Sequence, residues 1–218
     1  MPTVASPTDS ALRPSDRTVL KRWAIAVAVW GAAIGALSLT GGLSWMSPLA
    51  LGPLVAVGIA VPVAVVRRSP DQRRLVREAD LANFTWFNVW RVPAAIAFFI
   101  VGAQGLLPAP FVTNAAWGDL IAGGLAPVVV LAARHVAARR RTGAYLAFHL
   151  FSFGDFLVAV GTGLTFTVLG DPLMRTLLDT PMALIPLWGV PITGAVSLLA
   201  LHRLLTEEGP RGRRRAAG

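Results

Sequence analysis

The sequence contains no cysteine and few charged residues. Without a thiol the chain can form no disulfide, thiolate nucleophile, iron–sulfur cluster or zinc–thiolate site. Charged residues make up 14% of the 218 positions, hydrophobic residues make up 55%, and the mean hydropathy is +0.62. This balance is too apolar for an ordinary soluble domain of that length. The composition therefore predicts a membrane protein.

Alternating strand patterns are also missing, and long apolar runs take their place. A helix needs roughly 20 residues to cross a hydrocarbon core of about 30 Å. Six runs approach or exceed that length, over residues 23–40, 48–66, 86–107, 115–133, 144–169 and 181–201. Backbone groups in lipid must be satisfied within a helix or a closed barrel. The sequence therefore predicts an all-α bundle of six transmembrane helices.

Basic residues gather at alternate ends of these runs. Of the 20 lysines and arginines, 18 flank the start of the first span or the ends of the second, fourth and sixth. The two exceptions are Arg91, within the third span, and Arg175, in an outer loop. By the positive-inside rule both termini face the cytoplasm. We expect a disordered tail over 1–20, a transmembrane domain over 21–205 and a basic tail over 206–218.

The positions of the basic residues also indicate which partners and which membrane to expect. Because topology accounts for most of the basic residues, the net charge of +9 does not indicate nucleic-acid binding. The expected partner is the lipid bilayer, in the plasma membrane of a bacterium, and the oligomeric state stays open. The linker "RRSPDQRRLVREADL" after the second span predicts either a solvated loop or a short basic amphipathic helix on the inner leaflet.

Asp155 is the deepest of three charged residues within the predicted spans. It lies about eleven residues into the fifth span, near mid-membrane at 1.5 Å per residue. On a helical wheel Phe148, Phe151, Thr162 and Phe166 share its face, whereas His149, Phe153 and Phe156 lie toward the other side. A carboxyl group at that depth with no cation nearby can carry a proton at neutral pH. Alternatively, Asp155 only bonds a neighbouring helix, through Arg91.

The other two charged residues each allow two interpretations. Arg91 either snorkels to the inner surface or joins Asn88 in a bundle-facing site that anchors an anionic or carbonyl group. Asp119 either caps the outer end of the fourth span, where free amides and the helix dipole favour a carboxylate, or forms a second acid at the mouth of a pocket. Small residues beside Asp119 favour tight helix packing there.

Cofactor sites find little support in the sequence. His149 is the one deep histidine, whereas bis-histidine haem needs two ligands at matched depth. No lysine lies within a predicted span, which disfavours a retinal Schiff base. We therefore expect neither a metal nor an organic cofactor.

Several short motifs resemble an uncharacterised family of small bacterial polytopic membrane proteins. They are "NVWR" (88–91), "GLLP" (105–108), "WGDLIAG" (117–123), the spacing His149-x-x-Ser152-x-x-Asp155, and "LIPLWGVP" (184–191). The resemblance covers the chain from the third span onward. In that family Asn often stands at the position of His149 and Gly at that of Ser152, so this sequence departs there.

The chain also loosely resembles the membrane-bound, non-squalene terpene cyclases of actinobacterial indole-sesquiterpenoid pathways. The resemblance rests on size, multiple spans, embedded acids and aromatic lining. It implies protonation of a prenyl olefin or epoxide, without a metal and without loss of diphosphate.

From these residues we expect a membrane-bound terpene cyclase that protonates a prenylated lipophilic molecule. The expected catalytic residues are Asp155 and Asp119, and the expected substrate-binding residues are Arg91, Asn88, His149, Phe148, Phe151 and Phe166. Aromatic rings would stabilise carbocations by cation–π attraction. Two alternatives remain open: a proton-coupled carrier in which Asp155 works with Arg91 or His149, and a non-catalytic membrane subunit whose acids hold the bundle together.

Overall fold

The chain is helical throughout the part that the structure describes. The computed structural model describes residues 14–206, of which 85% are helical and none lies in a strand. Six helical segments in that range are long and apolar enough to cross a membrane, as the sequence predicts: Asp16–Leu39, Pro48–Arg68, Leu81–Ala103, Ala109–Ala133, Ala138–Val168 and Ile185–Thr206. These are the features of a multi-pass membrane protein.

Residues 14–206 form eight α-helices, three 3-10 turns and one π-helical turn. The helices are α1 (Pro14–Leu39), α2 (Leu51–Arg68), α3 (Pro70–Glu78), α4 (Leu81–Trp86), α5 (Arg91–Ala103), α6 (Ala109–Ala133), α7 (Ala138–Val168) and α8 (Val190–Thr206). The 3-10 turns are Pro48–Ala50, Phe87–Trp90 and Pro172–Leu178, and a π-helical turn, Ile185–Gly189, precedes α8.

Helix α1 begins earlier than the sequence indicated. It starts at Pro14, inside the segment predicted to be a disordered tail, with proline in its first turn and Asp16 close behind. Both residue types favour a helix N-terminus, proline through its fixed φ and aspartate through the helix dipole. The rest of that predicted tail, residues 1–13, lies outside the described residues, as does the C-terminal tail from residue 207.

The basic linker after the second span forms a helix, α3, and not a solvated loop. The side chain of Ser69 caps it by accepting from the backbone N–H of Gln72, and Pro70 occupies its first position. Leu75 and Val76 are adjacent among its arginines and acids and are both half-buried, which gives the helix one apolar side.

The third span is broken into α4, a 3-10 turn and α5. The side chain of Asn88 donates to the backbone carbonyls of Phe84 (3.1 Å) and Thr85 (3.3 Å), which lie one turn earlier. An amide side chain that binds these carbonyls competes with regular helical hydrogen bonding, and 3-10 segments within helices often occur at functional sites. Arg91 is the first residue of α5 and follows directly.

Helices α5, α6 and α7 pack together, while α2 packs on α8. Two apolar clusters fill the bundle: a larger one around Phe98, Phe111 and Met174, and a smaller one of Leu81, Val130, Ala133, Tyr145 and Leu204. Along α6 and α7, the charged residues lie between these clusters. The polar groups are therefore in the middle of the bundle.

Helix α1 lies at the edge of the bundle. Its main contacts are at two levels: the indole N–H of Trp188 donates to the carbonyl of Val27 (2.8 Å), and Asp16 pairs with Arg74 of α3 (2.5 Å). At the other end of the chain, Arg203 of α8 donates to the carbonyl of Val76, also in α3. The start of α1 and the end of α8 therefore lie at the same end of the bundle, beside α3.

Candidate functional site

The three intramembrane charges predicted from the sequence meet at one point. The guanidinium of Arg91 donates from Nε to Oδ1 of Asp119 (2.6 Å) and from its second terminal nitrogen to Oδ2 of Asp155. Arg91 is only 2% exposed. This is the bundle-facing alternative for Arg91, because a snorkelling arginine would reach the surface. One side chain thus joins α5, α6 and α7.

Ser152, for which the sequence indicated no role, completes the hydrogen bonding of Arg91. The remaining terminal nitrogen of Arg91 donates to Oγ (2.9 Å) and to the carbonyl (3.3 Å) of Ser152. The hydroxyl of Ser152 in turn donates to Oδ1 of Asn88 (2.9 Å). All three nitrogens of the guanidinium are therefore hydrogen-bonded, which fixes its plane. The i, i+3 spacing of Ser152 and Asp155 is the signal that would have found this residue.

Gly118 provides the space for the carboxylate of Asp155. A Cβ atom at Gly118 would overlap Oδ1 of Asp155, and it would lie 2.8 Å from Oδ2. Farther along α6, Gly123 permits close approach of the third span, since a Cβ there would lie 2.9 Å from the backbone nitrogen of Val92. Small residues commonly allow such contact between membrane helices. Gly118, beside Asp119 in the sequence, therefore leaves the room that Asp155 needs to reach the cluster.

His149 is fully buried but is not part of the charged cluster. Its Nε2 lies 3.2 Å from Oγ1 of Thr85, and that hydroxyl donates to the carbonyl of Leu81 (3.1 Å). The other ring nitrogen, Nδ1, has no hydrogen-bond partner within residues 14–206. His149 thus ties α7 to α4 beside the cluster.

A cavity of about 90 Å³ borders the cluster on one side. Arg91 and Asp119 line it, whereas Asp155 does not. Its other polar lining groups are Thr167 and Thr193, and the hydroxyl of Thr193 accepts from the indole N–H of Trp90 (2.9 Å). The aromatic lining residues are Trp90, Phe98, Phe111 and Phe156. The cavity is thus an aromatic chamber with one carboxylate and one guanidinium in its wall.

Asp155 pairs with Arg91, which was one of the two alternatives for this residue. The aromatic residues of the chamber, however, are not those that the helical wheel placed with Asp155. Phe151 is 43% exposed on the outer surface, and neither Phe148 nor Phe166 lines the cavity. The reason is that the buried face of α7 is centred near Ser152 and Phe156, so Asp155 lies at its edge.

Asp119 has one carboxylate oxygen that Arg91 does not use. Oδ1 accepts from Arg91, while Oδ2 accepts no hydrogen bond from any group within residues 14–206. Asp119 is therefore the acid that combines a position on the cavity wall with an oxygen available to a bound molecule. Its position within α6, ten residues after Ala109, excludes the predicted role as a cap at the helix end.

Charge counting gives the cluster its chemical character. One guanidinium faces two carboxylates, and when both are ionised one negative charge is in excess. An uncompensated charge away from water is strongly unfavourable. A proton on one carboxylate, or a cation in the cavity, removes the excess. In residues 14–206 no three His, Asp or Glu side chains form a group that could hold a metal ion.

A family described as a domain of unknown function, DUF8737, matches residues 44–205. The chain belongs to this family. No curated protein and no solved structure matches the chain. The matched segment contains Arg91, Asp119 and Asp155 together with every residue that lines the cavity, whereas α1 precedes it. The DUF8737 domain therefore includes the complete charged cluster and its chamber.

Proposed function

We propose that this DUF8737 protein is an integral membrane enzyme in which Asp119 protonates a lipophilic olefin in the aromatic cavity. One observation carries the proposal: Asp119 lines the cavity and has one carboxylate oxygen held by Arg91 and one free for a ligand. The sequence alone favoured Asp155 as the acid. Asp119 replaces it in that role because Asp155 does not reach the cavity wall.

Arg91 and Asp155 position the acid and set its charge. Arg91 binds Oδ1 of Asp119, so Oδ2 keeps a fixed orientation. The carboxylate of Asp155 forms an ion pair with another nitrogen of the same guanidinium. A single proton then completes the charge balance of the cluster, and we place it on Oδ2 of Asp119. A positioned, desolvated acid of this kind is suited to general acid catalysis.

The proposed reaction is a redox-neutral cyclisation. The proton of Asp119 adds to the less substituted carbon of a terminal prenyl double bond, and a tertiary carbocation forms at the other carbon. The π electrons of a second double bond attack that cation and close a ring. Loss of a proton to the Asp119 carboxylate ends the sequence and restores the acid. The rings of Trp90, Phe98, Phe111 and Phe156 face the cavity where positive charge develops, and they stabilise it through their quadrupoles.

The size of the cavity limits how a substrate binds. The cavity volume of about 90 Å³ is below the range of about 300–1,000 Å³ that is usual for sites enclosing a whole drug-sized ligand. It accommodates the end of a prenyl chain and not a whole prenylated indole. We therefore propose that the terminal isoprene unit enters the chamber while the rest of the molecule remains in the bilayer, beside the small residues Gly52, Ala159 and Gly163 of the cavity wall.

The proposed location is the plasma membrane, with both termini in the cytoplasm. The start of α1 and the end of α8 lie beside α3, so Arg203 of α8 and the arginines of α3, Arg73, Arg74 and Arg77, are at one end of the bundle. This distribution is typical of the cytoplasmic side of a membrane protein.

A product assay with the reconstituted full chain tests the function. Membranes containing the protein are incubated with a farnesylated indole, and products of unchanged mass but new retention are sought by mass spectrometry. We expect turnover by the wild type, no turnover by Asp119→Asn, and normal turnover by the control Asp71→Asn, an exposed aspartate of α3. Equal turnover by Asp119→Asn and wild type would overturn the assignment of the acid.

A proton-coupled carrier is the second candidate, and one observation favours it. Polar contacts continue from Asp119 through Arg91 and Ser152 to Asn88, and Asn88 reaches the carbonyl of Thr85, whose hydroxyl meets His149. This series of contacts leads from the cavity toward the start of α4. Vesicles loaded with a pH-sensitive dye distinguish the candidates: a proton-coupled carrier changes the pH of the lumen when its solute is supplied, whereas the proposed enzyme does not.

A further inference from the structure

A basic pocket lies at the end of the bundle where α1 begins and α8 ends. It has a volume of about 230 Å³ and is lined by Arg67 of α2, Arg73 and Arg77 of α3, and His202 and Arg203 of α8, with Val66, Val76 and Leu199 between them. Arg67, Arg73 and Arg77 are exposed, and none of them forms an ion pair with a carboxylate of residues 14–206. The pocket therefore presents several uncompensated positive charges around one space.

Two contacts give this pocket a fixed wall. Arg203 donates to the carbonyls of Val76 (3.1 Å) and Ala79, so it attaches the end of α3 to α8. Arg74, on another side of α3, is held by Asp16 and Glu78 and does not line the pocket. The hydrogen bond with Asp16 raises the pKa of Arg74 above its ordinary value. Arg74, which faces α1, is thus paired with acidic residues, whereas Arg67, Arg73 and Arg77 line the pocket.

An apolar groove continues from the pocket along α1. It has a volume of about 560 Å³, within the range of about 300–1,000 Å³ that is usual for ligand sites. Trp23 and Trp30 of α1 line it on one side, and Gly58, Val61 and Ile192 of α2 and α8 line it on another. Val66, Val76 and Leu199 belong to both spaces, so pocket and groove are continuous. The sparse packing of α1 is what leaves the groove open.

We propose that the basic pocket and the apolar groove together bind one anionic phospholipid. Its phosphate lies among Arg67, Arg73 and Arg77, and an acyl chain lies in the groove between α1, α2 and α8. Charge and polarity both match this ligand, because the site joins a cluster of cations to a long apolar surface at the depth where a lipid has its phosphate and its chains. Basic pockets between membrane helices commonly bind such head groups.

This site is separate from the charged cluster. The cavity beside Arg91 and Asp119 shares no lining residue with the pocket or the groove. The lipid would hold α1 and α3 against the remainder of the bundle. The proposal of lipid binding is therefore independent of the proposed acid chemistry, and either can be disproved without the other.

Quenching of tryptophan fluorescence by brominated acyl chains measures the binding directly. The full-length protein in detergent is titrated with phosphatidylglycerol or phosphatidylcholine that carry the same brominated chains. Trp45, Trp86 and Trp117 are exposed elsewhere on the bundle, so they are replaced by Phe in every sample, and Trp23 and Trp30 then report the occupancy of the groove. We expect half-maximal quenching at a concentration at least about tenfold lower for phosphatidylglycerol, since each basic residue near an anionic head group contributes about fivefold in affinity.

Charge-matched variants show whether the pocket is responsible. Arg67→Gln/Arg73→Gln/Arg77→Gln should abolish the preference for phosphatidylglycerol, whereas Arg139→Gln/Arg140→Gln/Arg141→Gln, which removes three exposed arginines at the start of α7, should retain it. Trp23→Phe/Trp30→Phe should remove most of the quenching. Equal quenching by the two lipids, or equal loss in both arginine variants, would overturn the proposal. Full displacement of the lipid by millimolar inorganic phosphate would also overturn it, because the site would then be one for free phosphate.

Discussion

The Nε of Arg91 lies 2.6 Å from Oδ1 of Asp119, although 28 residues separate the two in the chain and each is on a different membrane-spanning helix. The same guanidinium also binds Asp155, on a third helix. This arrangement gives the cluster two separate consequences. It holds three helices together, and it leaves one carboxylate oxygen of Asp119 available in an aromatic cavity.

Removing Arg91 should destabilise the bundle strongly. Arg91→Met leaves the carboxyl groups of Asp119 and Asp155 buried without their cation, and breaking a buried ion pair from one side costs about 3–5 kcal/mol. Unfolding of the purified protein in mixed micelles measures the loss. The variant Arg91→Met/Asp119→Asn/Asp155→Asn removes all three charges, so it should regain most of the stability. If the triple variant is as unstable as Arg91→Met, buried charge is not the cause.

A methyl group at Gly118 should displace Asp155 from Arg91. Since the new Cβ would overlap the carboxylate, we expect Gly118→Ala to destabilise the fold by about 1–3 kcal/mol, the usual effect of overpacking. Gly124→Ala is the matched control on the same helix, because nothing lies within 4 Å of its Cβ position. The control should be neutral or slightly stabilising, as alanine favours helix by about 1 kcal/mol over glycine. Equal unfolding midpoints for the two variants would contradict this packing.

The sequence predicted the spans well because their signal is local. Six apolar runs of sufficient length are readable without tertiary information, and their observed bounds differ from the predicted ones mainly at the helix ends. The sequence left the placement of Arg91 open, because an arginine at this depth can either snorkel to the surface or pair inside the bundle. Only the partners from α6 and α7 distinguish them, and no pattern within α5 specifies those partners.

The aromatic wall was harder to predict from the sequence. A wheel centred on Asp155 selects Phe148 and Phe151, but the buried face of α7 is centred elsewhere, so Phe156 lines the cavity and Phe151 faces outward. Trp90, Phe98 and Phe111 come from other helices. Periodicity within one helix gives relative angles of its residues, and the neighbouring helices decide which of those angles is buried.

Two phenylalanines of α7 should therefore respond differently to mutation. Phe156→Leu removes a ring from the cavity wall, and we expect it to lower the rate of product formation or to change the product distribution. Phe151→Leu alters an exposed side chain and should leave both unchanged. Product analysis by mass spectrometry compares the pair. A larger effect of Phe151→Leu than of Phe156→Leu would place the substrate on the outer face of α7.

The orientation of the bundle has its own test. Because basic residues flank the end of the bundle where α1 begins and α8 ends, a tag at the C-terminus should stay inaccessible to a membrane-impermeant reagent in intact cells. It should react after the membrane is permeabilised. Labelling without permeabilisation would reverse the proposed topology.

Infrared spectroscopy tests the central claim, that the cluster of Arg91, Asp119 and Asp155 stores one proton. A protonated carboxylic acid has a C=O stretch well separated from the bands of an ionised carboxylate. We expect such a band at neutral pH in the wild type. It should disappear in Asp119→Asn, which removes the acid, and also in Asp155→Asn, where one guanidinium faces one carboxylate and the charges balance without a proton. Absence of the band from the wild type, or its persistence in Asp119→Asn, would contradict the account.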